Sequence, residues 1–207
     1  MVGGSHLGIE KGVVRVPEQG MRRLVLQMGV SLDGIVAIPR GDGSVPVMEG
    51  EWGLPPEDPA LTKLKLDWVR EAGAHLMGRV TYEAMAGYWP TSTHAYAAPM
   101  NAIPKIVFSN TLERADWSDT QIVRGDLADE IARLKREPGK DLLAHGGATF
   151  VQSLARNNLI DEYRLITHPV AVGSGLPMFK DLRTPLRLEL VDARTFDSAN
   201  LRVYRSA

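Results

Sequence analysis

Ala74-His-Leu-Met-Gly-Arg-Val-Thr81 packs a short buried strand, a glycine and the start of a helix into eight residues. A strand that runs through a glycine straight into a helix is the unit of an alternating β/α chain. The same order returns at Asp141-Leu-Leu-Ala-His-Gly-Gly-Ala-Thr149, where a strand over 141–145 meets paired glycines before a helix over 149–156. Between the two lie strands at 105–108 and 121–123 and a helix over 127–135. Upstream, the apolar run 22–30 reads as a buried first strand that ends in the turn Ser31-Leu-Asp-Gly34. Asp58 and Pro59 open a helix that places Leu61, Leu64, Trp68 and Ala72 on one face before Gly73 stops it. Strands that alternate with helices in this way predict an α/β fold, a mainly parallel sheet covered on both faces.

The tail breaks the alternation. Strands at 162–167, 186–191 and 200–204 include a last pair with no helix between them, so 192–199 reads as a hairpin connection and the sheet should finish antiparallel. Residues 40–59 are rich in Gly, Pro and acidic side chains, a long loop of the kind that serves as a lid. Gly173-Ser-Gly175 is followed at once by Leu-Pro177 and reads as a connecting loop.

With 44% hydrophobic and 24% charged residues over 207 positions, the chain can bury one core and needs no second domain. Residues 1–20 precede a second methionine, Met21, and read as a flexible leader; 21–207 is expected to be a single domain. A net charge of -1 with interspersed signs argues against a nucleic-acid partner. No apolar run approaches the length of a membrane span, so no membrane partner and a cytoplasmic location are expected. The absence of cysteine removes disulfides, zinc-thiolate sites and thiol catalysis. The five histidines show no metal-ligand spacing, so no metal is expected.

The chemistry concentrates at the two strand-to-helix junctions, where free backbone amides and the helix dipole favour an anion. Gly78 lets a ligand approach the backbone, Arg79 can fork onto a phosphate and Thr81 offers a hydroxyl. Gly146, Gly147, Ala148 and Thr149 form the second junction. Ser109 and Asn110 end the parallel strand between them, and ligands of open α/β sheets bind at such carboxyl ends. A dinucleotide fits this pattern, although the Rossmann glycine fingerprint is missing. His145-Gly-Gly147 has no Gly-x-Ser-x-Gly elbow to accompany it, so serine hydrolysis is unsupported.

Met77-Gly-Arg-Val-Thr-Tyr-Glu83, Lys105-Ile-Val-Phe-Ser109, His145-Gly-Gly-Ala-Thr-Phe150 and Ile166-Thr-His-Pro169 resemble dihydrofolate reductases in identity and order. Ser31-Leu-Asp-Gly34, Leu159-Ile-Asp-Glu-Tyr163 and the run 169–179 resemble more closely the reductase domain of bacterial riboflavin biosynthesis. The resemblance implies a three-layer α/β/α fold with about eight strands. It also implies an NADPH-dependent reductase of a pteridine-like or pyrimidine-like heterocycle, and a homodimer.

By position in the motifs, Gly78, Arg79, Thr81, Ser109 and Asn110 would hold the adenosine side and the second junction the pyrophosphate. The nicotinamide would lie near Val30, Ser31 and Gly34, with Asp33 as the catalytic candidate. Glu51, Trp52 and Thr167 are the expected substrate-binding residues. The helix acid that holds the pterin in dihydrofolate reductases has no counterpart around Leu61 and Thr62. Two other readings therefore stand beside the first. One is a nucleotide-binding module without turnover; the other is the riboflavin-pathway reductase of an aminopyrimidine ribosyl phosphate, for whose phosphate Arg40 is the candidate.

Overall fold

The computed structural model describes residues 20–41, 52–54 and 56–207. Strand β1 (Leu24–Ser31) alternates in the manner of a strand buried on both faces: Leu24, Leu26, Met28 and Val30 point into one core, Val25 into the other. A short strand β2 (Ile35–Ala37) follows the turn. Helix α1 (Pro59–Glu71) starts where the sequence places it, with the Asp58 carboxylate accepting from the Ala60 amide at 2.7 Å. It buries Leu61, Leu66 and Val69, while Leu64 and Trp68 pack at its margin.

Strand β3 (Ala74–Gly78) passes directly into helix α2 (Arg79–Tyr88), a 3-10 turn at Trp89–Thr91 and helix α3 (Ala97–Ala102). Then come β4 (Lys105–Phe108), β5 (Thr120–Val123), α4 (Leu127–Arg136), β6 (Leu142–His145) and α5 (Ala148–Arg156). The chain closes with β7 (Glu162–His168), β8 (Leu176–Pro177), β9 (Leu188–Thr195) and β10 (Asn200–Ser206).

The main sheet has eight strands in the order β5-β4-β3-β6-β1-β7-β10-β9. All pairs from β5 to β7 are parallel and the two involving β10 are antiparallel, as the loss of alternation in the tail requires. Ile131 and Leu134 of α4 and Val151 and Leu154 of α5 fill one face. Val69 of α1, Tyr82 of α2, Met100 of α3 and Trp117 fill the other, which makes three layers.

Three boundaries differ from the sequence reading. Strand β9 continues to Thr195, so the reversal is only 196–199, closed by reciprocal Phe196 and Ala199 backbone bonds. Helix α3 and the Trp89 turn arise where Pro90 and Pro99 obscured any helical period. Strands β2 and β8 form a separate two-stranded ribbon that is too short to leave a periodic signal. Of the long loop expected to serve as a lid, 42–51 and 55, Glu51 among them, lie outside the described residues.

Candidate functional site

The carboxyl ends of β3, β4 and β6 stand side by side because the register aligns Gly78 with Phe108 and Leu76 with Ala144. A cleft of about 990 Å³ opens there, lined among others by Gly78, Arg79, Thr81, Ser109, Asn110, Gly147, Ala148 and Thr149. All eight were singled out from the sequence, because the strand–glycine–helix signal is local and survives without knowledge of the fold.

Two helices aim their first turns at this cleft. Helix α2 begins after Gly78 and α5 after Gly147, and neither has a side chain capping its amides. Gly147 sits at φ +91, and a Cβ there would stand 2.5 Å from Thr81 Oγ1. No L side chain fits both the backbone and the space, so the two turns touch only because this residue is glycine. Phe108 and Phe150 stack at 5.2 Å between ring centroids in the cleft wall. The result is an apolar slot with two sets of open amides, the geometry that takes a ligand carrying both rings and phosphates.

The Arg79 guanidinium bonds Glu83 at 2.9 and 3.0 Å across one helical turn, with both side chains 45% exposed. Such a pair is worth roughly 0.3–0.5 kcal/mol. A fork from arginine onto a phosphate is stronger, about 1.5–3 kcal/mol for a hydrogen bond to a charged group. So weak a pair leaves the guanidinium open to exchange with another anion. Ser109 Oγ is occupied locally, accepting from the Thr111 and Leu112 amides at 3.2 and 2.9 Å.

The remaining expected residues are placed differently. Gly146 lines a neighbouring pocket rather than the cleft. Val30, Ser31 and Gly34 line neither cavity; the turn they frame is instead tied to the 170s loop, with the Leu32 amide donating to Val170 and the Met178 amide to Gly34. The Asp33 carboxylate accepts from Ser31 Oγ at 2.6 Å and from the Val172 and Gly173 amides at 3.2 and 2.7 Å. These bonds, the Ser31 hydroxyl first and the Gly173 amide next, hold its carboxyl below the usual range. An ionised carboxylate so engaged ties the 31–34 turn to the 170s loop. Trp52 meets His168 edge-on at 6.3 Å, and Thr167 pairs with Val30 and Asn200 inside the sheet; neither lines the cleft or the neighbouring pocket.

The neighbouring pocket, about 470 Å³, shares Met85, Tyr88 and Trp89 with the cleft. Glu57, Thr62 and Lys65 from the start of α1, Gln27 of β1, and His94 and Tyr96 also line it. Sequence reasoning missed these. The aromatic density of Tyr88-Trp-Pro-Thr-Ser-Thr-His-Ala-Tyr96 was the available signal; Trp89, His94 and Tyr96 rings lie 5.1–6.3 Å apart.

His145, at the base of the second junction, shares a 2.8 Å bond with His75 of β3. Burial drives both below the ordinary histidine range, His75 to about 4. Among the described residues no helix is long and apolar enough to cross a membrane, and no cluster of His, Asp and Glu could hold a metal ion.

Known proteins agree with this frame. YyaP of Bacillus subtilis (strain 168), an uncharacterized protein, is 28% identical over 187 residues, covering 88% of this chain and 93% of its own. The crystal structure of a putative riboflavin biosynthesis protein from Shewanella sp. PV-4 superposes with a TM-score of 0.67 at 23% identity, over 90% of this chain and 99% of that one. Dihydrofolate reductase from Enterococcus faecalis, complexed with NADP(H), gives 0.52 at 14% identity, over 89% and 96%. The family model of the RibD C-terminal domain matches residues 22–201, nearly the whole described sheet with both glycine junctions, and this chain belongs to that family.

Proposed function

We propose that this chain is a reductase that binds NADPH in the large cleft and reduces a small heterocycle held in the adjoining pocket. The observation that carries the reading is the convergence of two uncapped helix starts on one slot, joined through Gly147. NADPH fits what is there: open amides at Gly147–Thr149 for a pyrophosphate, an exposed Arg79 for a 2'-phosphate, and apolar walls for its rings. The cofactor, when bound, supplies the hydride; the protein orients it, excludes water and positions the acceptor. Family membership and the NADP(H) carried by a reductase of the same fold support this reading.

Trp89 lines the cleft, so its fluorescence reports occupancy. In a titration, NADPH should bind at least about 10-fold more tightly than NADH, and Arg79→Ala should erase that preference with little change for NADH. Failure of both nucleotides to quench would remove the cofactor. A second reading, a nucleotide-binding module without turnover, is favoured by one observation: the Asp33 carboxylate is committed to anchoring loops. NADPH binding without oxidation against a broad set of pteridines and pyrimidines would select it.

The partner we propose is a second copy along β9. This edge strand exposes Leu190 at 52% and Val191 at 38%, an apolar edge that isolated proteins usually protect. Sedimentation should show a dimer that Val191→Lys weakens; a monomeric parent protein would dismiss it.

A further inference from the structure

We infer that the hydrogen bond between His75 and His145 is a strap that sets the opening between the two glycine junctions, which makes both histidines positioning residues for a nucleotide that spans them. Calling the ligand a nucleotide rests on the reductase reading; the strap itself rests on the register of the sheet.

Strands β3 and β6 pair at Ala74 with Leu142, His75 with Leu143 and Leu76 with Ala144, and their pairing stops there. Met77 and Gly78 continue the ladder with β4 on the far side, opposite Val107 and Phe108. His145, the first residue of β6 past the last pair, is still held by β1 opposite Gln27. The sheet thus divides into a β3–β4 half that ends in Gly78 and a β1–β6 half that leads into Gly146 and Gly147. Between these halves the rings take over from the backbone. His145 Nε2 stands 2.8 Å from His75 Nδ1, with ring centroids 4.7 Å apart and the planes at 64°. The bond lies two residues before Gly147, whose turn then meets Thr81 of α2. A change in its length would be passed directly to the gap between the two open helix starts.

The surroundings make this bond costly unless it has a task. Side chains alternate along a strand, so His75 faces the side of Met77 and His145 the side of Leu143, both members of the apolar core on that face. His75 is fully buried and His145 is 8% exposed. Imidazoles withdrawn from water cost more than aliphatic side chains of their size unless they find partners. Burial keeps both rings neutral at neutral pH, so one supplies the N–H and the other the lone pair. Lys105, across from His75 on β4, is engaged elsewhere, its ammonium donating to the Asn101 carbonyl at 2.8 Å. A hydrogen bond has a preferred length and direction that packed methyl groups lack, and a spacer between two ligand-binding turns needs both.

The test uses the full protein and four single variants. His75→Leu and His145→Leu fill the space without the bond. His75→Asn carries an amide where Nδ1 stood, and His145→Gln one where Nε2 stood, so each can remake it. In the ligand-free protein, backbone order parameters at Gly147 and Ala148 should fall from the rigid value of about 0.85 toward about 0.6 in the Leu variants, while those of α4 stay unchanged. NADPH, titrated by tryptophan fluorescence, should bind about 10-fold more weakly to the Leu variants. The Asn and Gln variants should stay near the parent in both measurements, an outcome that a role in packing alone would not produce. Melting curves confirm folding, and the double Leu variant, which leaves no imidazole without its partner, replaces any single one that fails to fold. Unchanged order parameters in the folded Leu variants, unchanged NADPH affinity in them, or Asn and Gln variants as impaired as the Leu variants overturn the strap. If NADPH fails to bind the parent protein, the reductase reading falls, and the order parameters by themselves uphold or overturn the strap.

Discussion

Four helices of this protein begin in two different ways. Helices α1 and α4 start behind Asp58 and Asp126, whose carboxylates accept from the first amides. Helices α2 and α5 start behind Gly78 and Gly147, with no side-chain cap. Capping is worth about 0.5–2 kcal/mol, so its omission at two neighbouring helices is a cost carried at one place. Helices α1 and α4 satisfy first-turn amides with their own side chains; α2 and α5 leave theirs uncapped beside the cleft. Stability and binding compete for the same backbone groups.

The most damaging way to break this contrast is to put a side chain where the two open turns touch. Gly147→Val meets both a positive φ of 91° and the Thr81 hydroxyl within 2.5 Å of its Cβ. NADPH affinity should fall by about 100-fold or more, a loss of roughly 3 kcal/mol, with the melting temperature also lowered. Nucleotide titration with thermal melting measures both, and wild-type affinity in a folded Gly147→Val protein would show that the turns do not form the binding surface.

The second test concerns the histidines below the open turns. His75, pushed to about 4 by burial, and His145 stay neutral in the folded protein when they would be charged in the unfolded chain. The unfolded state takes up protons as pH falls through about 6.5, whereas folded His75 does not until about 4. Stability therefore declines as pH falls across that window, by about 3 kcal/mol for His75 once the pH reaches the lower limit, at roughly 1.4 kcal/mol per unit. Above pH 6.5 the pair adds no pH dependence. Denaturant unfolding at pH 7.5, 6 and 4.5 should show the slope, and His75→Gln should flatten it; an identical slope in that variant would place the dependence elsewhere.

What was legible in the sequence follows the same division. Glycine junctions and the Asp58 cap are written within a few consecutive residues, so Gly78, Arg79, Thr81 and the Gly147 turn could be read directly. The neighbouring pocket could not. Its Gln27, Glu57, Lys65, His94 and Tyr96 come from separate elements that only the sheet order brings together. No carboxylate lies on α1 beside Leu61 and Thr62; that of Glu57, just before the helix cap, accepts from Thr62 and Lys65. Asp33 shows the converse limit. Its sequence context shows a turn residue with Ser31 beside it, whereas its partners Val172 and Gly173 lie 139 and 140 positions away and only the fold brings them to it.

The smallest effect sharpens the contrast from the scaffold side. Asp126 Oδ1 accepts from the Ala128 and Asp129 amides at 2.9 and 3.2 Å, and α4 buries Ile131 and Leu134 against the sheet. Asp126→Ala leaves those amides to water and removes a charge from the positive end of the helix dipole, a loss of about 1 kcal/mol. The helix itself should persist, because its stability comes mainly from the packed Ile131 and Leu134 and its last turn keeps Arg133, Lys135 and Arg136 at the negative end. NADPH affinity should stay within about 2-fold of the parent, since α4 meets the cleft through Gly125 and Leu127 while its capped start directs no open amide there. A denaturant midpoint lowered without a change in affinity confirms that the Asp126 cap serves the fold alone. A parallel loss of affinity would mean that the cleft depends on α4 as a whole, and the division between closed scaffold helices and open binding helices would have to be redrawn.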